Sequence, residues 1–186
     1  MDDAAIVELY WQRSESAISA TQAKYGAYCR ATAYNILQES RDAEECVNST
    51  YWQAWNAMPE HRPKRLQAFL GKLTRNLSLN TRERYSAQKR GAGQVELLLS
   101  ELEECIPADG QVEQALDDGA IAEALNVYLS QQPARARCFF VRRYWYAERV
   151  SDIALRYGVG ESLVKTSLFR MRKALKVYLE QKGINL

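Results

Sequence analysis

Apolar side chains recur at intervals of three and four along most of this 186-residue chain, and that spacing restricts the fold to α-helices packed face to face. Ile18, Thr21, Tyr25, Tyr28, Cys29, Thr32, Ala33, Ile36 and Leu37 form one helical face. Ala43, Cys46, Val47, Thr50, Tyr51, Ala54, Trp55 and Met58 form a second, in a 3,1,3,1 rhythm. Asp42 is placed to cap that helix, with Glu45 as its capping-box partner, and Pro59 to end it. A loop at 59–64 leads to a third helix marked by Leu66, Phe69, Leu70, Leu73 and Leu77, running to about Ser86. Strand-like alternation is scarce. The expected fold class is all-α.

The formal net charge of +2 conceals a strong segregation. Arg62 to Arg90 carries basic residues with Glu83 as the lone acid, and Arg135 to Lys176 is basic apart from Glu148, Asp152 and Glu161. Between them, Gln94 to Glu123 holds no Lys or Arg. Gly91-Ala92-Gly93 interrupts the helical pattern, and Pro107 and Asp109-Gly110 break it again. The expected organisation is a basic helical domain at 1–90, an acidic linker at 91–118 with a short helix near Val95–Glu104, and a second basic helical domain at 119–186. Basic blocks suit a polyphosphate partner, because neutralising phosphates releases condensed counterions.

Several function classes fall away. Cys29, Cys46, Cys105 and Cys138 form no CxxC pair, and His61 is the single histidine, so no metal site is expected. Cys29, Cys46 and Cys138 fall at apolar helical positions, as small core residues in a reduced, cytoplasmic setting. No apolar run reaches the roughly 18 residues of a membrane span, and Met1-Asp2-Asp3 does not begin a signal peptide. No catalytic constellation or phosphate-cradling glycine loop is visible, so neither an enzyme nor a cofactor is expected. The carboxylates Asp42, Glu44 and Glu45 are explained by a helix N-terminus, which favours negative charge.

The sharpest local pattern lies at 150–165. Ile153, Ala154 and Tyr157 form one side of a short helix, and Gly158 stands where it must stop in the left-handed region. Val159 plugs the turn. A new helix begins near Gly160 or Glu161, with Leu163, Val164, Leu168, Met171 and Leu175 facing inward. This is a helix-turn-helix pattern. Its outer face carries Ser162, Lys165, Thr166, Phe169, Arg170 and Lys173, residue types that reach base edges and phosphates in a major groove. Phe169 would either contact a thymine methyl or pack inward.

With these motifs in view, the chain resembles the extracytoplasmic-function (ECF) RNA polymerase sigma factors. Asp42-Ala43-Glu44-Glu45-Cys46-Val47-Asn48-Ser49-Thr50-Tyr51-Trp52-Gln53-Ala54-Trp55 is similar to the family's DAEDVVQDTFLRAW signature, and Phe69-Leu70-Gly71-Lys72-Leu73-Thr74-Arg75-Asn76-Leu77 to its FxxWLxxIARNL helix. Leu129 to Pro133, Arg137 to Tyr144 and the helix-turn-helix follow in the family's order. The resemblance implies that an N-terminal region 2 binds the β′ coiled coil of core polymerase through Asp42, Glu44, Glu45, Asn48, Ser49, Trp52 and Asn56. Trp52, out of phase with the buried stripe, is expected to be exposed or to pack on a neighbouring helix. The resemblance also implies capture of the melted minus-ten strand. His61, Arg62, Lys64, Arg65, Lys72, Arg75, Asn76 and Asn80 are the matching positions, and none of them identifies the ring that stacks on a base.

Region 4 would read the minus-thirty-five duplex through Ser162, Lys165, Thr166, Phe169, Arg170 and Lys173, and would meet the β flap. An anti-sigma factor is a further implied partner. Departures from the family pattern are Asn48 and Ser49 in the first motif, the loss of the usual glycine within Tyr146–Arg149, and Gly160 in place of a serine cap. The alternative reading is a helix-turn-helix regulator that binds operator DNA without being a polymerase subunit.

Overall fold

The computed structural model describes residues 1–58, 60–89, 98, 101 and 120–183. All regular structure among them is helical. The chain packs as two compact units, Met1–Ala92 and Gly93–Leu186.

The first unit contains α1 (Asp3–Trp11), α2 (Ser16–Leu37), α3 (Ser40–Ala57) and α4 (Leu66–Lys89). Its core is the set that the periodicity marks. Cys29, Ala33, Ala43, Cys46, Ala54, Met58, Leu66 and Leu70 are all nearly or fully buried, with Ile6, Val7 and Tyr10 of α1 closing the end of the bundle. The α3/α4 seam is polar as well as tight. The Thr50 hydroxyl donates to the Cys46 carbonyl at 2.9 Å and lies 3.1 Å from Thr74 Oγ1, while Thr74 and Ser78 each donate back one turn, to Leu70 and Thr74 carbonyls. Each buried hydroxyl is thereby satisfied, so the small side chains let the helices approach without stranding a donor. Burial pushes the Cys29 and Cys46 thiols up, consistent with inert core cysteines.

Two local expectations are corrected. The cap of α3 is Glu39, not Asp42: the helix starts three residues earlier than expected, and Glu39 accepts from the Asp42 amide at 2.8 Å. Asp42 lies in the first turn, where its charge still favours the helix N-terminus. In the third helix the pattern ends near Ser86, but α4 continues to Lys89.

The second unit contains α5 (Ala120–Gln131), α6 (Ala134–Phe140), one π-helical turn at Val141–Trp145, α7 (Val150–Tyr157) and α8 (Glu161–Gln181). Val164, Leu168, Met171, Leu175 and Leu179 form the inner stripe of α8 and are nearly or fully buried. The expected linker and its short helix lie outside the described residues, apart from Leu98 and Glu101. Both of these belong to the second unit: Leu98 is buried, and Glu101 enters an ionic cluster. Its carboxylate accepts from Arg143 at 2.6 Å and from the Tyr144 hydroxyl at 2.9 Å, with Arg172 3.5 Å away. Arg143 is only 4% exposed, so this carboxylate is what makes its burial tolerable.

Candidate nucleic-acid interface

In the second unit, α7 stops at Gly158 with φ 61° and ψ 41°, and α8 starts after Gly160, whose backbone is extended and which offers no side-chain cap. Ser162, Lys165, Thr166, Phe169, Arg170 and Lys173 are all exposed and follow one another at i, i+3, i+4, i+7, i+8 and i+11, opposite the buried stripe. The two readings of Phe169 resolve to exposure, at 57%. With Arg170, Lys173, Tyr128 and Val177 it lines a surface groove of about 470 Å³ between α5 and α8. Leu163 departs from expectation. It is 49% exposed, because in the first turn of α8 the inward direction is already taken by Val164. Lys165 pairs with Glu161 at 3.2 Å, an exposed i,i+4 contact that a phosphate can replace.

The frame behind this helix is ionic. Glu148 accepts from Arg142 and Arg156, each at 3.0 Å, and so ties the π-helical turn to α7. Ala147 adopts φ 51° while fully buried, a backbone state that glycine takes at less cost.

In the first unit, Glu45, Asn48, Ser49, Trp52 and Asn56 share a face of α3. Trp52 is 66% exposed, which settles its two expected environments in favour of solvent. Glu44 turns away toward α2 and pairs with Arg30 at 3.2 Å. Asp42, Glu45 and Ser49 line a cleft of about 250 Å³ with Thr81, Arg84 and Tyr85 of α4, and the Asp42 carboxylate beside it pushes the Tyr85 phenol up.

The loop between α3 and α4 exposes His61, Arg62, Lys64 and Arg65. Along α4, Lys72, Asn76 and Asn80 stand one above another on the exposed face. Arg75 does not join them in solvent. It is half-buried, and burial together with the Arg82 charge lowers its pKa. The loop is braced by α1, which the sequence reading did not connect to it. Arg62 reaches Glu8 and the face of Trp11. No local sequence signal could have found these partners, which lie more than fifty residues away.

Among the described residues no group of metal-ligating side chains could hold a metal ion, and no helix is long and apolar enough to cross a membrane.

A helix-turn-helix with a basic outer face, in a chain of two helical units, defines a nucleic-acid-binding architecture. No protein-family profile matches the chain. It is 30% identical over 157 residues to the ECF RNA polymerase sigma factor SigL of Mycobacterium tuberculosis strains Erdman, CDC 1551 and H37Rv, and the match covers 82% of this chain and 82% of each relative. The chain belongs to the ECF RNA polymerase sigma factors.

Proposed function

We propose that this protein is a promoter-specificity subunit that binds core RNA polymerase through its first unit and reads promoter DNA with both. The exposed face of α3 around Trp52 meets the β′ coiled coil. The 60–65 loop and the outer face of α4 hold the melted minus-ten strand, with Lys72, Asn76 and Asn80 along its path. The outer face of α8 reads the minus-thirty-five duplex, while the second unit also meets the β flap. An anti-sigma factor would silence the chain by covering these faces. The observation that carries the reading is the pairing of two distinct exposed faces on one chain: an exposed Trp52 within a polar rim on α3, and a row on α8 of five basic and polar residues with the exposed Phe169 among them.

The mechanism is divided affinity. A tryptophan in a polar rim is a suitable interface anchor. Each DNA contact is weak alone, and tethering both units to one polymerase raises their effective concentration at the promoter. Binding unpaired bases stabilises the melted state over the duplex, and the reaction chemistry belongs to the polymerase.

The test of the polymerase contact is the affinity of the full chain for core polymerase. Trp52→Ala is expected to weaken it at least about tenfold, the usual loss for an interface anchor. Its far-UV spectrum should stay unchanged, because Trp52 contributes little to the core. Unaltered core affinity in that variant would remove α3 from the interface.

A further inference from the structure

Loop 60–65 offers cations and one imidazole but no large ring, while capture of an unpaired base calls for an aromatic face beside a basic groove. The fold brings that ring from the other end of the first unit. Trp11 closes α1 and is 42% exposed. The Arg62 guanidinium lies over it, 5.2 Å from the ring centroid, and donates to Glu8 at 2.5 Å. Glu8 and Trp11 are three residues apart on α1, so they share a face and hold the loop arginine between them. The nearby Arg13 is committed elsewhere: it stacks on Trp55 at 4.4 Å and donates to the Trp55 carbonyl at 2.8 Å.

We propose that Trp11 and Arg62 form a stacking platform for an unpaired base of a single DNA strand, with Glu8 occupying the position of a backbone phosphate until the strand arrives. The proposal rests on the reading of the loop as a single-strand contact. An indole face accepts any base, because every base has a π-face. When the base takes that face, Arg62 moves to the adjoining phosphate, which replaces the Glu8 carboxylate as its partner. The exchange is easy because both ends of the present pair are about half exposed, at 60% and 47%. Glu8 then acts as a filter. It repels polyanions that do not also fill the platform, and so lowers indiscriminate binding by the free protein.

The experiment is equilibrium binding of the full chain to short mixed-sequence DNA single strands at low salt, with fluorescence anisotropy as readout. Trp11→Ala is expected to weaken binding by about 5- to 100-fold, and Trp11→Phe to restore most of the loss. Glu8→Gln is expected to tighten binding by about 2- to 5-fold, a direction that misfolding cannot produce. Strands carrying 5-iodouracil should crosslink to Trp11 under ultraviolet light.

A folded Trp11→Ala variant with unchanged affinity, while Arg65→Ala weakens binding, would overturn the platform and leave the single-strand reading of the loop intact. A wild-type chain that binds no single strand would overturn both. Weaker or unchanged binding by Glu8→Gln would refute the phosphate-mimic role.

Discussion

Tyr51 shows how far a helical pattern carries and where it stops. Its place in the buried stripe of α3 is legible from spacing, and it is 4% exposed. What spacing cannot show is that its hydroxyl finds no hydrogen-bond partner among the described residues, so that burial pushes the phenol up to about 12. A buried, unsatisfied hydroxyl costs more than the ring gains from it. Tyr51→Phe should therefore raise thermal stability, by about 1 kcal/mol in chemical denaturation, and a comparable loss would mean that the hydroxyl is satisfied in solution. Gly158 and Ala147 form a similar pair. The left-handed residue at Gly158 is legible because glycine advertises it, whereas Ala147 adopts the same region with no glycine to mark it. A glycine in place of Ala147 would take that φ without strain. Leu163 misleads for a different reason, since in the first turn of α8 the inward direction belongs to its neighbour Val164, which is fully buried while Leu163 faces out.

Among the elements, α8 was the most legible, because a buried apolar stripe from Val164 to Leu179 lies opposite an outer row that carries Lys165, Arg170 and Lys173, with Leu163 as the apolar residue that breaks the pattern. Its outer row also makes a graded prediction. Arg170→Ala is expected to cost about 1–3 kcal/mol of duplex affinity and to relax the preference at one base position, if its guanidinium reads a base edge. Lys165→Ala is expected to weaken all duplexes alike and to reduce the salt dependence by about one counterion, as for a phosphate contact. Binding measured against a set of single-base variants at several salt concentrations separates the two. Equal loss on every sequence for Arg170→Ala would reassign that residue to the backbone. The start of α3 was less legible. Asp42 has the right chemistry for a cap, but Glu39 takes the position because the helix begins before the apolar rhythm does. The buried Thr50, Thr74 and Ser78 ladder reads in sequence only as small residues on an apolar face; its hydrogen bonds need the facing helix.

At the scale of the whole molecule, segregated charge announced two basic blocks around an acidic one, but not the partner that Glu101 finds. A carboxylate in an acidic run has no sequence mark that says it will meet Arg143 and Tyr144 more than forty residues later. Burial alone would push the Glu101 carboxyl up. The bonds from Arg143 and Tyr144, with the charges of Arg143 and Arg172, more than offset this and hold it below its ordinary value. A depressed carboxylate contributes its stability above the unfolded-state pKa and loses it as the pH falls through the folded-state one. The second unit should accordingly weaken below about pH 4, where a glutamate begins to protonate. Glu101→Ala should remove that part of the pH dependence and cost about 3 kcal/mol at neutral pH, because Arg143 is left buried without its anion. Denaturation of wild type and variant from pH 3 to 7 checks both, and parallel pH profiles would show that Glu101 is not the anchor.

As a polymerase specificity subunit, the chain would need both units to act together. Run-off transcription from a promoter library by bacterial core polymerase, with and without the full chain, tests it most directly. Start sites are expected that appear only with the protein and share two short upstream elements. Those sites should be lost both with Trp52→Ala and when Lys165 and Arg170 are replaced together. No start sites and no affinity for core polymerase, together with tight binding of the free protein to duplex operator sites, would contradict it.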